Sequence, residues 1–482
     1  MTFSQLGITV LPEYVQSEGV PGVVEILADR IGATSMTTSP YVAEPAKPGE
    51  GNREPPIDGG AGKGRLLDRP LWGQREVWMT AACSFKPHDA LYEGLPYRPP
   101  AVNDLTEQHG AVVASFLDAT KARGLETWMQ IQAAIPPCHR VQFGGPVAED
   151  ECLMPDGQPV SGRVDRNASL ASDNLRRYMK AFLTDLCDAY PQVDGFKFDW
   201  PEYPVYQFES LLFDFNEAAA RFAPPLGLDF EDMRKGCLGF LAELSNGSVR
   251  RKRIALDDPD SFRESLMDTY PVLGELVVFR TAIVTDYARF LRETVDEITG
   301  AGRRIFLQCF PPPLNVATGF DFRSVSKHCD VIGTKLYTMH WPLIEANYVR
   351  WLSERIDVSP AMIASAVSKV LRLSPNTQRN VDEIRYPEPH EPHPCATEDL
   401  LAKLKAARRE VPEDTSFVAI AHAYGPLQDF ERRLEAAREG AEGAVHINRF
   451  CYMSDDKIEA ISKLANRSGS PDSFQLHPEA VE

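Results

Sequence analysis

The chain has 482 residues, 43% of them hydrophobic and 25% charged, with a formal net charge of −18. This composition supplies a large core and excludes wholesale disorder. The acidic surplus opposes phosphate backbones and anionic membrane surfaces, so neither nucleic acid nor a membrane is an expected partner. The opening MTFSQLGITV lacks a basic segment followed by an apolar one, and no stretch approaches the roughly 18 apolar residues of a membrane span; both point to the cytoplasm. Nine cysteines are scattered without CxxC or finger-like spacing and read as reduced structural thiols.

In chain order, short apolar runs ending in polar or aromatic residues alternate with amphipathic stretches, the pattern of strand followed by helix in a parallel sheet. The first predicted strand, 7–11, precedes a helix at 23–30. The second, 33–38, leads into a Pro/Gly-rich polar loop at 44–70 and a strand-like segment at 75–85. A helix at 110–123, ended by Gly124, precedes the third strand, 127–133. A helix at 170–189 precedes the fourth, 195–199, and a helix at 276–299, ended by Gly300, precedes the fifth, 304–308. Strands at 331–336, 417–421 and 444–448 follow, the last two trailed by helices at 427–439 and 456–466.

Eight such alternations, with no GxGxxG or P-loop after the first strand, predict a (β/α)8 TIM barrel with no cofactor. The barrel is expected to fill residues 1–466 as one unit, with rim insertions near 41–104, 136–169, 202–261 and 372–414 and a tail at 467–482. The dense basic run RRKR at 250–253 reads as a solvated loop.

The most informative segment is VDGFKFDWPEYP at 193–204. Side chains change face at each residue of a strand, so Phe196 and Phe198 face the outer helices and Lys197 and Asp199 face the barrel axis. Charges there are costly unless paired, and at the C-terminal rim of a barrel strand the usual reason to keep them is function.

The segment resembles the fourth-strand signatures of barrel glycoside hydrolases. Family 18 chitinases carry D-G-x-D-x-D-x-E; this chain has Asp194, Gly195 and Asp199, but Lys197 for the middle Asp and Pro201 where the acid stands, with Glu202 one residue later. Lys197-Phe198-Asp199 is similar to the K-aromatic-D of alpha-galactosidase-like families, in which the Asp is the nucleophile. The resemblance implies a sugar-cleaving enzyme with Asp199 as nucleophile or base and Glu202 as acid, and Asp321 is next in line for the acid.

Other predicted strand ends place Glu13, Trp128, Gln130, Gln132, Gln308, Lys335, Tyr337, His340, His422, Tyr424, Asn448 and Arg449 around one mouth. Amides, imidazoles and aromatic faces suit the hydroxyls and C–H surface of a small carbohydrate, the expected partner; a homo-oligomer is left open. His340, His422, Glu13, Asp199 and Glu202 could meet across the barrel as metal ligands, but no HxH or HExxH spacing supports this, and no metal is expected. Two alternatives stand beside the hydrolase. One is a metal-dependent sugar isomerase, epimerase or lyase, in which Lys197 or Lys335 forms a Schiff base; the other is a sugar-binding barrel without catalysis.

Overall fold

The structure, a computed structural model, describes residues 2–56, 65–160, 166–245, 264, 266–373 and 381–466. The basic run at 250–253 and the tail at 467–482 lie outside the described residues.

The strands are β1 (Gln5–Thr9), β2 (Ser35–Thr38), β3 (Tyr41–Ala46), β4 (Asn52–Glu54), β5 (Val77–Cys83), β6 (Glu126–Gln132), β7 (Gly195–Asp199), β8 (Arg304–Cys309), β9 (Val331–Leu336), β10 (Ser416–His422) and β11 (Ala444–Asn448). Eight of them close into a barrel in the order β1-β11-β10-β9-β8-β7-β6-β2, every pair parallel. The fold is a (β/α)8 barrel, and its strands lie within two residues of the expected positions. Both faces of a barrel strand are covered, which is why all five residues of β7 are buried.

The strand-like segment at 75–85 forms β5, which pairs antiparallel with β3 and β4 in a three-stranded sheet after the second barrel strand. The expectation of a plain loop at 44–70 is corrected here: its first residues extend β3 and residues 52–54 form β4, where Arg53 and Glu54 are both buried. The glycines named as helix stops behave so, with φ of 79° at Gly124 and 65° at Gly300. The helix Asp173–Ala189 is capped by Ser172, whose hydroxyl accepts the Leu175 N–H at 3.1 Å.

Inside the barrel, Trp128, Phe306, Val331, Val418 and Ile420 form an apolar floor. Two glycines make room for it and for the layer above. A Cβ on Gly195 would fall 2.4 Å from the Trp128 ring, and one on Gly7 would fall 2.5 Å from the His446 ring. Among the described residues no helix is long and apolar enough to cross a membrane, and none of the nine cysteines is disulfide-bonded.

Candidate active site

The inward side chains are stacked in layers, and their height above the floor decides what each can touch. Trp128 lies in the floor: its indole N–H donates to Glu126 at 3.0 Å, and Arg304 covers its ring at 5.3 Å. It sits four residues, roughly 13 Å, below the C-terminal end of β6. The expectation that Trp128 meets substrate is therefore corrected: alternation gave the right side of the strand but the wrong layer.

Above the floor lies a buried polar chain. Lys197 Nζ is 3.4 Å from His446 Nδ1 and 4.8 Å from the Phe306 ring centre, while His446 Nε2 lies 3.3 Å from the Gln5 amide and 3.4 Å from Ser35 Oγ. Burial pushes the Lys197 amine down to about 7, against the pull of Asp199, and burial together with Lys197 keeps His446 well below its usual range. Lys197 is thus inward, as expected, but sealed beneath the mouth at 1% exposure. Gln130 and Gln308 pair across the next layer at 3.3 Å.

The top layer holds Asp199, Lys335 and Glu202. Lys335 Nζ lies 3.4 Å from Asp199 Oδ1 and 3.2 Å from Glu202 Oε1, with the Trp200 and Phe310 rings at 4.8 and 4.3 Å. Burial pulls the Lys335 ammonium down, but the two carboxylates outweigh it and hold Lys335 above its usual value. Asp199 also accepts the Trp200 N–H at 3.1 Å, and its side chain keeps 12% of its surface open.

Glu202 is different. Trp200 has a φ of 61°, the left-handed region that bulky residues avoid, and this turn folds the following residues back into the wall. Glu202 ends fully buried, accepting the Phe310 N–H at 2.8 Å, and burial raises its carboxyl despite Lys335. A side chain with no open surface does not reach a leaving group in this conformation. Asp321 is occupied too, capping the short helix Phe322–Val325 through the Ser324 N–H at 2.8 Å.

Around the rim, Tyr337 Oη accepts from the Asn448 amide at 2.8 Å, and its ring lies 5.3 Å from His422 and 5.7 Å from His340. His340 Nδ1 bonds the Tyr206 hydroxyl, and His422 Nδ1 accepts the Tyr424 N–H at 3.1 Å. Burial, reinforced by Arg65 and Arg449, holds both imidazoles far below their usual range. Tyr424 donates to the Pro387 carbonyl at 2.9 Å. Gln132, at the end of β6 in register with Asp199, has a buried Oε1 with no hydrogen-bond partner among the described residues, as does Asn448 Oδ1.

Glu13 is drawn into the wall. Its oxygens take the Arg140 guanidinium at 2.9 Å and the Tyr41 hydroxyl at 2.8 Å, and Arg140 also bonds Glu54. Burial raises Glu13, whereas at Glu54 the charges of Arg140 and Arg449 overcome burial and hold the carboxyl below its usual value. Among the described residues no three His, Cys, Asp or Glu are grouped to hold a metal. Arg65, Arg140, Glu54 and Tyr206 went unseen in the sequence because they come from loops and inserted segments without periodicity. His446 had a signal, the alternation of Ala444, His446 and Asn448.

Fold and site together define a (β/α)8 barrel with a charged, aromatic-walled mouth at the C-terminal ends of its strands. No family model matches the chain, and neither does any curated protein. Among solved structures it is similar to the catalytic domain of a beta-amylase from Paenibacillus polymyxa, at 9% identity over 95% of this chain and 97% of that one, with a TM-score of 0.49. It is also similar to a group IV chitinase of Ostrinia furnacalis (8% identity, 96% and 99% covered, TM-score 0.42). A family 18 N-acetylglucosaminidase of Paenibacillus barengoltzii matches at 10% identity, 95% and 99% coverage and a TM-score of 0.39. These neighbours are glycoside hydrolases.

Proposed function

We propose that the chain is a glycoside-cleaving enzyme whose reactive carboxylate is Asp199. The observation that carries this is the placement of Asp199: a strand-end carboxylate with open surface at the mouth, resting on a buried ammonium and in register with Gln132. Asp199 then attacks the anomeric carbon, or takes the proton of a water that does so, while the glycosidic C–O bond breaks and its electron pair leaves with the departing oxygen, which goes as a phenolate from an activated aryl glycoside or takes a proton from solvent water.

Lys335 and Glu202 act as a brace. Glu202, anchored on the Phe310 N–H, holds Lys335, and Lys335 fixes the Asp199 carboxylate. The Asn448 amide donates to Tyr337 Oη, which leaves the phenol hydrogen free to bond a sugar oxygen. A Schiff base on Lys197 is less well supported, because its amine faces His446 below the mouth.

The test is turnover of a panel of 4-nitrophenyl glycosides by the wild type and Asp199→Asn. The amide is nearly isosteric but neither attacks nor accepts a proton, so the variant should melt like the parent and lose turnover by at least about a thousandfold. Retention of wild-type turnover by Asp199→Asn overturns the assignment.

A further inference from the structure

Among the described residues, two guanidinium groups at the mouth have charge but donate no hydrogen bond to an acceptor. Arg65 is 4% exposed, and its side chain donates to none of the described residues; its Nε is buried without a partner. What surrounds it is aromatic: the rings of Tyr452, Tyr386 and Tyr424 lie 5.4, 5.6 and 5.8 Å from its central carbon. Arg449 lies 5.8 Å from the same Tyr452 ring, and its one carboxylate neighbour is Glu54 at 3.5 Å, without a hydrogen bond. The other oxygen of Glu54 is already bonded to Arg140.

Arg140 shows the contrast. It too is buried, yet it is paired with two carboxylates, Glu13 and Glu54. Buried guanidinium groups are normally satisfied in this way, because a desolvated cation without an acceptor is costly. In a chain of net charge −18, two buried arginines that share the single carboxylate of Glu54, already bonded to Arg140, are not a by-product of a basic surface. Both also stand at the sugar-facing mouth: Arg449 follows Asn448, the partner of Tyr337, and Arg65 lies among tyrosines that follow β10 and β11.

We infer that the mouth is built for an anionic sugar, a pyranose bearing a carboxylate or another oxyanion, which Arg65 and Arg449 clamp while Asp199 faces the rest of the ring. The planar guanidinium fork matches a two-oxygen acceptor, and the tyrosine faces pack against the C–H surface beside it. The inference rests on the proposed reading of the mouth as a sugar site and names its substrate class.

The test is calorimetric titration of the full chain with glucuronate and galacturonate, with hexose 6-phosphates and hexose 6-sulfates, and with neutral glucose and galactose. At least one anion should bind tenfold or more tightly than its neutral parent, and the best class identifies carboxylate, phosphate or sulfate as the oxyanion. Arg65→Met should erase this preference, weakening the anion roughly ten- to hundredfold, the value of charge-assisted hydrogen bonds. Neutral sugars should move less than about threefold, and Arg65→Lys should recover part of the loss. If Arg65→Met does not fold, Arg449→Gln carries the same comparison, since its side chain is 13% exposed.

Equal binding of anionic and neutral sugars, no anion binding at millimolar concentration, or an anion preference untouched by these substitutions overturns the inference. Cleavage of neutral aryl glycosides with no anion preference sinks the clamp and leaves the glycosidase reading standing. Arg65-dependent anion binding with no cleavage of any aryl glycoside, uronides included, does the reverse.

Discussion

Lys335 and Asp199 meet at 3.4 Å across the top of the barrel, and the same ammonium touches Glu202 at 3.2 Å on its other side. One cation therefore serves two carboxylates of unlike exposure, one open to the mouth and one sealed in the wall.

Removing that cation should be costly. Lys335→Met leaves two carboxylates without their counter-ion, and breaking a buried pair from one side costs about 3–5 kcal/mol. The part-open Asp199 places the loss near the lower end of that range. The double variant Lys335→Met, Glu202→Gln should regain a measurable part of it in urea denaturation, because the sealed charge is gone as well. A double variant no more stable than the single one contradicts the brace.

Glu202→Gln separates bracing from acid catalysis. A proton donor matters most when the leaving group is poor, whereas a misplaced Lys335 and Asp199 harm every substrate alike. Comparable losses on alkyl and activated aryl glycosides are expected. A loss concentrated on the poor leaving groups assigns the acid to Glu202 after all.

Lys197 predicts a pH-dependent stability. Its folded value of about 7 lies below its ordinary 10.5, so the unfolded chain holds the extra proton between these limits. The cost of burying the charged form is full below pH 7 and shrinks as pH rises from 7 toward 10.5. Lys197→Met should therefore melt higher than the wild type at pH 6–7, by an amount on the order of a few kcal/mol, and the gap should narrow at pH 9. A gap independent of pH refutes this.

The chain is expected to behave as one folding unit, since β1 pairs with both β11 and β2 and closes the barrel across its whole length. Limited proteolysis should trim inserted loops without releasing halves. Two separately folding fragments cut near the middle of the chain would disprove it.

Much of the barrel was legible in the sequence because its determinants are local. Period-two alternation set Lys197, Asp199, Gln308, Lys335 and Asn448 on the inner face, and glycine stops such as Gly124 and Gly300 marked where helices hand over to strands. Height and reach were decided only in three dimensions. Inter-strand register pairs Trp128 with Gly195, low in the barrel, and Gln132 with Asp199 at the mouth, although both lie on the same face of one strand. A positive φ at Trp200 turned Glu202 into the wall, a backbone choice that no residue pattern announces. Arg65, Glu54 and Arg140 came to the rim from loops and an inserted sheet whose positions depend on packing against the finished barrel. Their meeting is a property of long-range contacts, which local sequence does not encode residue by residue.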